Sequence, residues 1–147
     1  MTAAQNPDHA LMRAFMAGDR TPVAVGSNPL FVALRTTLVA CDADARTVTL
    51  RYEPGELFRQ GGGVIQGGAV SAMLDFAMAF SAMTVIGPDS TVTTTSMSTS
   101  FYAAGRGEAY EAVGKVEKPG RRVVFTSATL TCDGREIAAA TSTLLEV

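Results

Sequence analysis

Apolar and polar residues alternate through most of the second half of the chain, which is the pattern of strands with one buried face. Asp133-Gly134 and Pro119-Gly120 interrupt this pattern, and both pairs are typical of tight turns. The sequence therefore predicts four consecutive strands, over residues 91–102, 108–117, 122–132 and 137–147.

The first part of the chain predicts a helix followed by a hairpin. Residues 7–18 have the apolar spacing of a short amphipathic helix, with Asp8 as its N-cap and Gly18 at its end. Residues 31–41 and 46–52 look like strands, and a polar turn joins them. We expect these two segments to pair.

A long helix, apolar on every side, is predicted between the hairpin and the four strands. The run over residues 69–85 contains one charged side chain, Asp75, and Gly87-Pro88 ends it. Because such a helix must be covered on several sides, the pattern predicts an α+β fold in which a curved antiparallel sheet wraps one central helix. Any helix face left open would need a partner, which indicates an oligomer.

Composition and charge exclude several classes of protein. The chain has 147 residues, of which 47% are hydrophobic and 18% charged, and this suits one folded domain. The net charge is −2 and the basic residues are scattered, so no nucleic-acid partner is expected. The long apolar run is broken by Asp75 and lacks basic flanks, and the N-terminus lacks a secretory pattern. We expect a cytoplasmic protein with no membrane partner.

Cysteine and histidine placement argues against a metal site and a catalytic triad. Cys41 and Cys132 lie far apart, with no CxxC spacing, so two reduced thiols are the simpler interpretation. His9 is the only histidine, and it lies near an N-terminus that we expect to be mobile. Catalysis by a Ser-His-Asp or Cys-His arrangement is therefore not expected.

Asp75 and the glycines that precede it are the candidates for chemistry. A carboxylate among apolar side chains is costly to bury unless it has a partner or a task. Gly67 and Gly68 stand where the long helix begins, and the unpaired N–H groups of a first turn can stabilise an oxyanion. Two simpler interpretations stay open: a neighbouring group satisfies Asp75, and the glycines only shape a turn.

The spacing of Gln60, Gln66-Gly67-Gly68 and Asp75 resembles the signature of hotdog-fold acyl-CoA thioesterases of the phenylacetate-pathway (PaaI-like) type. That signature is an Asn or Gln, then His-Gly-Gly six residues later, then an acidic residue nine positions after the His. The resemblance extends roughly over residues 28–147. It implies a hotdog domain there, with residues 1–27 as an N-terminal helix and loop extension.

Two positions depart from the family pattern. Gln66 stands where most members have His, and a glutamine cannot carry a proton at neutral pH, although it can still position a group. Ala79 stands where some relatives have Ser or Thr. These departures leave an alternative function open, namely a hotdog protein that binds acyl-CoA without catalysis.

The resemblance implies hydrolysis of aromatic, medium-chain or long-chain acyl-CoA thioesters to the free acid and CoA, without a cofactor. The thioester oxygen would rest on the N–H of Gly67, beside Gly68 and Gln66. Gln60 would hold the carbonyl or orient water. Asp75 would act as general base, or as a nucleophile that forms a mixed anhydride.

Gly67 and Asp75 are eight positions apart, so along a helix they differ by about 12 Å in height. One carbonyl is not expected to touch both residues of the same chain. We therefore predict a homodimer or homotetramer whose sites combine Gly67 of one subunit with Asp75 of another.

Basic residues should lie where the phosphates of CoA bind. The candidates are Arg121, Arg122, Lys118 and Arg106, and an ordinary solvated turn is the alternative for them. The apolar side chains of the long helix are interpreted as core rather than as the lining of an acyl pocket; they are Met73, Phe76, Met78, Phe80 and Met83.

Overall fold

A seven-stranded antiparallel sheet surrounds one long helix in the computed structural model, which describes residues 6–147. The helices are α1 (Pro7–Ala17), α2 (Pro29–Ala33) and α3 (Gly67–Ala82), with a 3₁₀ turn at Glu56–Phe58. The strands are β1 (Val23–Ala24), β2 (Thr37–Asp42), β3 (Thr47–Tyr52), β4 (Val92–Phe101), β5 (Tyr110–Pro119), β6 (Val123–Cys132) and β7 (Arg135–Glu146). The strand order is β1-β2-β3-β5-β6-β7-β4, so β4 lies at one edge.

The predicted arrangement of one central helix and a curved antiparallel sheet is confirmed. Helix α3 contacts β3, β4, β5, β6 and β7. The four strands expected in the second half are β4 to β7, and Asp133 and Gly134 form the predicted turn, with φ values of +52° and +75°. The alternation of strand β5 buries the side that faces the helix: Tyr110, Ala112, Gly114 and Val116.

The prediction of a strand over residues 31–41 is wrong at its beginning, where the chain forms α2 before it enters β2. The Asn28 side chain accepts a hydrogen bond from the N–H of Phe31 at 3.0 Å, and Pro29 opens the helix. Both features start a helix. Arg35, with a φ of +49°, then turns the chain into the strand. Helix initiation by Asn28 and Pro29 therefore outweighs the strand-like pattern of the side chains that follow.

The N-terminal helix is confirmed, but its cap and its surroundings are corrected. Asn6 caps α1 by accepting the N–H of Asp8 at 2.9 Å, whereas the Asp8 side chain accepts from the Ser27 hydroxyl. His9, which the sequence placed near a mobile N-terminus, is buried in α1, with 3% of its surface exposed. Burial, followed by the charge of Arg13, lowers the pKa of His9. Residues 1–5 lie outside the described part.

The long helix ends earlier than the sequence suggests, at Ala82 rather than at Gly87-Pro88. The Ser81 hydroxyl donates to the Met78 carbonyl at 2.8 Å, and the Thr84 hydroxyl donates to the Ser81 carbonyl at 2.7 Å. The amide of Met83 likewise bonds three residues back, to Phe80. The amides of Thr84 and Val85 do the same, to Ser81 and Ala82, and these three backbone i to i−3 bonds tighten the last turn and end the helix before the proline.

The core lies between α3 and the concave face of the sheet. Met73, Leu74, Ala77 and Met78 are fully buried there. At Gly114 of β5, an added Cβ would overlap the carbonyl oxygen of Ala77, so the absence of a side chain lets strand and helix approach closely. No helix within residues 6–147 is long and apolar enough to cross a membrane.

Candidate active site

The first turn of α3 is open to a ligand. Gln66 is the N-cap residue, and its side-chain oxygen accepts the N–H of Ala69 at 3.2 Å. The N–H groups of Gly67 and Gly68 have no acceptor among the described residues, and both glycines are exposed. Two amide donors therefore point to solvent at the positive end of the helix dipole.

Phe101, at the end of β4, lies beside this turn. A Cβ built on Gly67 would stand 3.5 Å from its ring, and 56% of the Phe101 surface is exposed. The role of Phe101 could not be predicted from the sequence, because nothing local in β4 shows that its end meets the start of the helix.

Gln60 lies in a tight turn that leads into the helix. Its carbonyl accepts the N–H of Gly63, and its own N–H bonds to the carbonyl of Val64, both at 2.9 Å. The N–H of Gln66 bonds to the carbonyl of Phe58 at 2.8 Å, which closes the hairpin around this turn. The structure therefore brings Gln60 to the N-terminal end of α3, with its side chain exposed.

Two arginines, one on each side, join the Gln60 turn to the loop of residues 104–108. Arg106 donates to the carbonyl of Gly62 at 2.6 Å. Arg59, which the sequence analysis did not identify, donates to three backbone carbonyls and has only 10% of its side chain exposed. Its neighbour Tyr110 has a buried hydroxyl that finds no hydrogen-bond partner among residues 6–147, and burial above all raises the pKa of Tyr110 to about 12.

Asp75 is half-buried on the side of α3 that faces β4, rather than enclosed by apolar side chains. Its Oδ1 accepts the hydroxyl of Thr94 at 2.7 Å, so the carboxylate has a partner that the sequence analysis missed. The Tyr52 hydroxyl donates to the Met73 carbonyl at 2.8 Å. Burial first, and then the charge of Asp75, raise the pKa of Tyr52 well above its ordinary value.

A cleft of about 380 Å³ opens beside Asp75. Part of its wall is aromatic, since the ring centroids of Phe31 and Phe76 are 4.0 Å apart and those of Phe31 and Phe80 are 5.6 Å apart. The interpretation of the apolar helix residues as core is confirmed for Met73, Met78, Phe80 and Met83, which are buried. Phe80 and Met83 also line the cleft, together with the half-buried Phe76. Polar groups at the cleft include Asn6, Asp8, Asn28 and Thr91.

The predicted site residues fall into three places within one subunit. The N-terminal end of α3 gathers Gln60, Gln66, Gly67, Gly68 and Arg106. Asp75 lies in the middle of the helix. The turn between β5 and β6 belongs to the other end, because Val116 and Val124 pack on Ala82; it carries the exposed side chains of Lys118, Arg121 and Arg122.

The thiols and acidic side chains do not form a metal centre in the described part of the chain. No group of three or more His, Cys, Asp or Glu residues there is placed to hold a metal ion. Cys41 and Cys132 are buried and unpaired. Burial raises the pKa of Cys41.

Comparison with known proteins identifies the family. The sequence pattern of the thioesterase superfamily matches residues 62–139, which is more than half of the chain and includes Gly67, Gly68 and Asp75. No protein of curated function matches the sequence significantly.

Solved structures share the fold. A phenylacetic acid degradation-related protein from Ralstonia eutropha JMP134 has a TM-score of 0.80 and 24% identity, over 91% of this chain and 98% of its own. A thioesterase family protein from Silicibacter pomeroyi has a TM-score of 0.77 and 24% identity, over 95% and 98%. A Streptococcus mutans UA159 protein bound to acetyl CoA has a TM-score of 0.67 and 19% identity, over 75% and 86%.

These findings confirm the resemblance seen in the sequence. The structural likeness shows the hotdog fold, and the sequence pattern shows the family. The chain belongs to the thioesterase superfamily and is a thioester hydrolase with the hotdog fold.

Proposed function

We propose that this protein hydrolyses acyl-CoA thioesters to the free acid and CoA, in the cytoplasm, at sites that join Gly67 of one subunit to Asp75 of another. The open first turn of α3 carries the proposal. Its two N–H donors have no acceptor within the described residues, and the same helix presents a half-buried carboxylate. Donors already in place for a developing oxyanion are the main requirement of acyl transfer.

Each residue has a role in this chemistry. The thioester oxygen accepts the N–H of Gly67, and Gln60 orients the carbonyl or the attacking water. Asp75 takes a proton from that water, or attacks the carbonyl itself to give an anhydride that water then opens. In both routes the carbon–sulfur bond breaks and CoA leaves with a proton on sulfur. Thr94 occupies one oxygen of Asp75 and so orients the other.

Strand β4 supports the two-subunit site. It is a ten-residue edge strand without a charged side chain, and no described strand pairs with its outer edge. Such an edge favours pairing with another chain. Thr94 near one end of β4 contacts Asp75, and Phe101 at the other end lies against Gly67. Antiparallel pairing of two β4 strands about a two-fold axis would bring these two ends, and the two site halves, together.

The same two-fold symmetry would bring basic side chains of both subunits to one region, where the phosphates of CoA could bind. Antiparallel α3 helices would set the C-terminal end of the partner helix beyond the Gly67 turn. Lys118, Arg121 and Arg122 of one subunit would then lie on the same side as Arg106 of the other. Arginine suits phosphate through its planar fork of donors.

Replacing Arg121 and Arg122 together by Ala should therefore raise the KM for an acyl-CoA roughly tenfold, with a much smaller change in kcat, because the phosphates do not take part in the reaction. Lys115→Ala is the control, since Lys115 pairs with Glu117 on the outer face of the sheet. Steady-state kinetics checks this, and an unchanged KM would remove the phosphate assignment.

The cleft beside Asp75 suits an aromatic or medium-length acyl group. Its lining runs from Thr91, just before β4, to Thr94 within it, which is three residue steps or about 10 Å of extended chain. The rings of Phe31, Phe76 and Phe80 form an apolar wall with aromatic edges and faces.

The direct test of the function is release of CoA thiol from a panel of acyl-CoA esters, with the wild type beside Asp75→Asn. Asn keeps the shape and the contact with Thr94 but removes the base and the nucleophile, so we expect kcat to fall by a factor of roughly 100 or more. Asp89→Asn, an exposed change beyond α3, serves as the control. Binding of esters without turnover in the wild type would instead indicate an acyl-CoA-binding protein.

A further inference from the structure

We infer that Arg59 is the positioning residue of the oxyanion side of the site. Its guanidinium holds the turn that carries Gln60, and through it the first turn of α3, against the loop of residues 104–108. This inference rests on the proposed function and names the residue that sets its geometry.

The contacts of Arg59 join two loops. Nη1 donates to the carbonyls of Gly63 at 2.9 Å and Arg106 at 3.1 Å, and Nη2 donates to the carbonyl of Gly107 at 2.7 Å. Gly63 belongs to the Gln60 turn, whereas the other two belong to the opposite loop. A planar guanidinium can serve several carbonyls at set angles, which the ammonium of a lysine cannot do.

The charge of Arg59 is held mainly by backbone dipoles. The ion pair found for it is with Glu56, whose carboxylate stands 3.5 Å from Nε and is 93% exposed. An exposed carboxylate at this distance compensates a nearly buried cation only weakly. Burying a cation costs free energy that the carbonyls must offset. An apolar side chain would fill the same space without that cost, so the hydrogen-bond geometry is what the arginine adds.

The opposite loop is itself held in place. Gly105 accepts the N–H of Ile65 at 2.9 Å, and a Cβ on Gly105 would come within 2.9 Å of Tyr110 and Ile137. A Cβ on Gly107 would overlap the carboxylate of Asp133. The Gly105-Arg-Gly sequence is therefore explained by close packing, and it offers Arg59 a rigid surface.

The segment that the Arg59 guanidinium holds adjoins both Gln60 and Gly67, the two residues proposed to bind the carbonyl. Arg59 precedes Gln60 directly and pairs as an isolated bridge with Ile65, two positions before Gly67. Loss of the guanidinium contacts would let the Gln60 turn move relative to the helix start. Small displacements of positioning groups cost up to about 100-fold in rate.

The test uses Arg59→Lys and Arg59→Gln, with Arg51→Gln as the control. Arg51 is about half exposed, pairs with Glu53 and lies at the nearby end of β3. For both Arg59 variants we expect kcat to fall about tenfold or more and KM to change by less than about twofold, since the lost geometry matters mainly in the transition state. The control should keep both constants.

Hydrogen exchange provides a readout that does not need activity. In both Arg59 variants, amides of residues 60–66 should exchange faster, while those of residues 70–82 in α3 keep their protection. Unchanged exchange at residues 60–66 would overturn the inference, and so would faster exchange over the whole chain, which would indicate a general structural role. Absence of thioester hydrolysis in the wild type would instead count against the proposed function, and the exchange result would still decide the role of Arg59.

Discussion

The side chain of Gln66 caps the third residue of α3 and makes no hydrogen bond with the first two. It accepts the N–H of Ala69, and this leaves the N–H groups of Gly67 and Gly68 without an acceptor in the described part of the chain. Glutamine is not among the preferred N-cap residues, although its amide oxygen accepts as an Asn oxygen does. The departure from the family His therefore has a structural role that keeps the donors available.

Replacing Gln66 by Ala should lower the free energy of unfolding by about 0.5 kcal/mol, the low end for a cap, because the Ala69 N–H loses its side-chain acceptor and keeps only the backbone carbonyl of residue 66. The first turn should fray, and kcat should fall with it. Urea denaturation and kinetics measure the two effects. Gln66→Ser, which places a preferred capping side chain at the same position, should restore stability. A Gln66→Ala protein as stable as the wild type would show that the cap contributes nothing.

At the scale of elements, the position of Asp75 depends on how closely α3 approaches β5. Gly114 is the point of contact, and an added Cβ there would overlap the backbone oxygen of Ala77, two residues after Asp75. A backbone atom cannot turn aside as a side chain can. The helix would have to shift, and the carboxylate would shift with it.

Gly114→Ala should therefore destabilise the protein by about 1–3 kcal/mol, the usual cost of overpacking a core. Gly26→Ala is the matched control, because an added Cβ at Gly26 meets no atom within 4 Å. The urea midpoints of the two variants give the comparison. Equal midpoints would mean that strand and helix adjust to the extra methyl group without loss.

At the scale of the whole molecule, the two halves of the proposed site are too far apart to meet within one subunit. Gly67 and Asp75 differ by about 12 Å along α3. The unpaired edge of β4 lies next to both halves, through Phe101 and Thr94. We therefore expect catalysis at the proposed site to depend on a second copy of the chain.

Mixed dimers test this dependence. Gly67→Pro removes the N–H donor, and proline is well tolerated at the first position of a helix. Asp75→Asn removes the carboxylate. Each variant alone should be inactive, whereas random pairing of the two should restore about a quarter of wild-type activity, since half of the dimers gain one intact site of two.

Each variant refolded or coexpressed with itself is the control for that experiment. A mixture as inactive as its components would argue against the shared site. A monomer that keeps full activity at high dilution would argue against it as well.

Some features of this protein were determined by its sequence alone. The alternation of residues 108–117 and 122–132 predicted both strands, and the apolar run around Asp75 predicted the central helix. These predictions rest on the spacing of nearby residues. In a strand or a helix, that spacing alone determines which side chains share a face. The same local logic was wrong for residues 31–33, where Asn28 and Pro29 start α2.

Only the tertiary structure decided which side chains meet. Thr94 reaches Asp75 across 19 positions, and Arg59 reaches the carbonyls of Arg106 and Gly107 across 47 and 48 positions. Such contacts depend on how loops close and which way each side chain points once the sheet has wrapped the helix. No local pattern encodes that, so the residues expected to carry the chemistry were visible in the sequence while those that orient them were not.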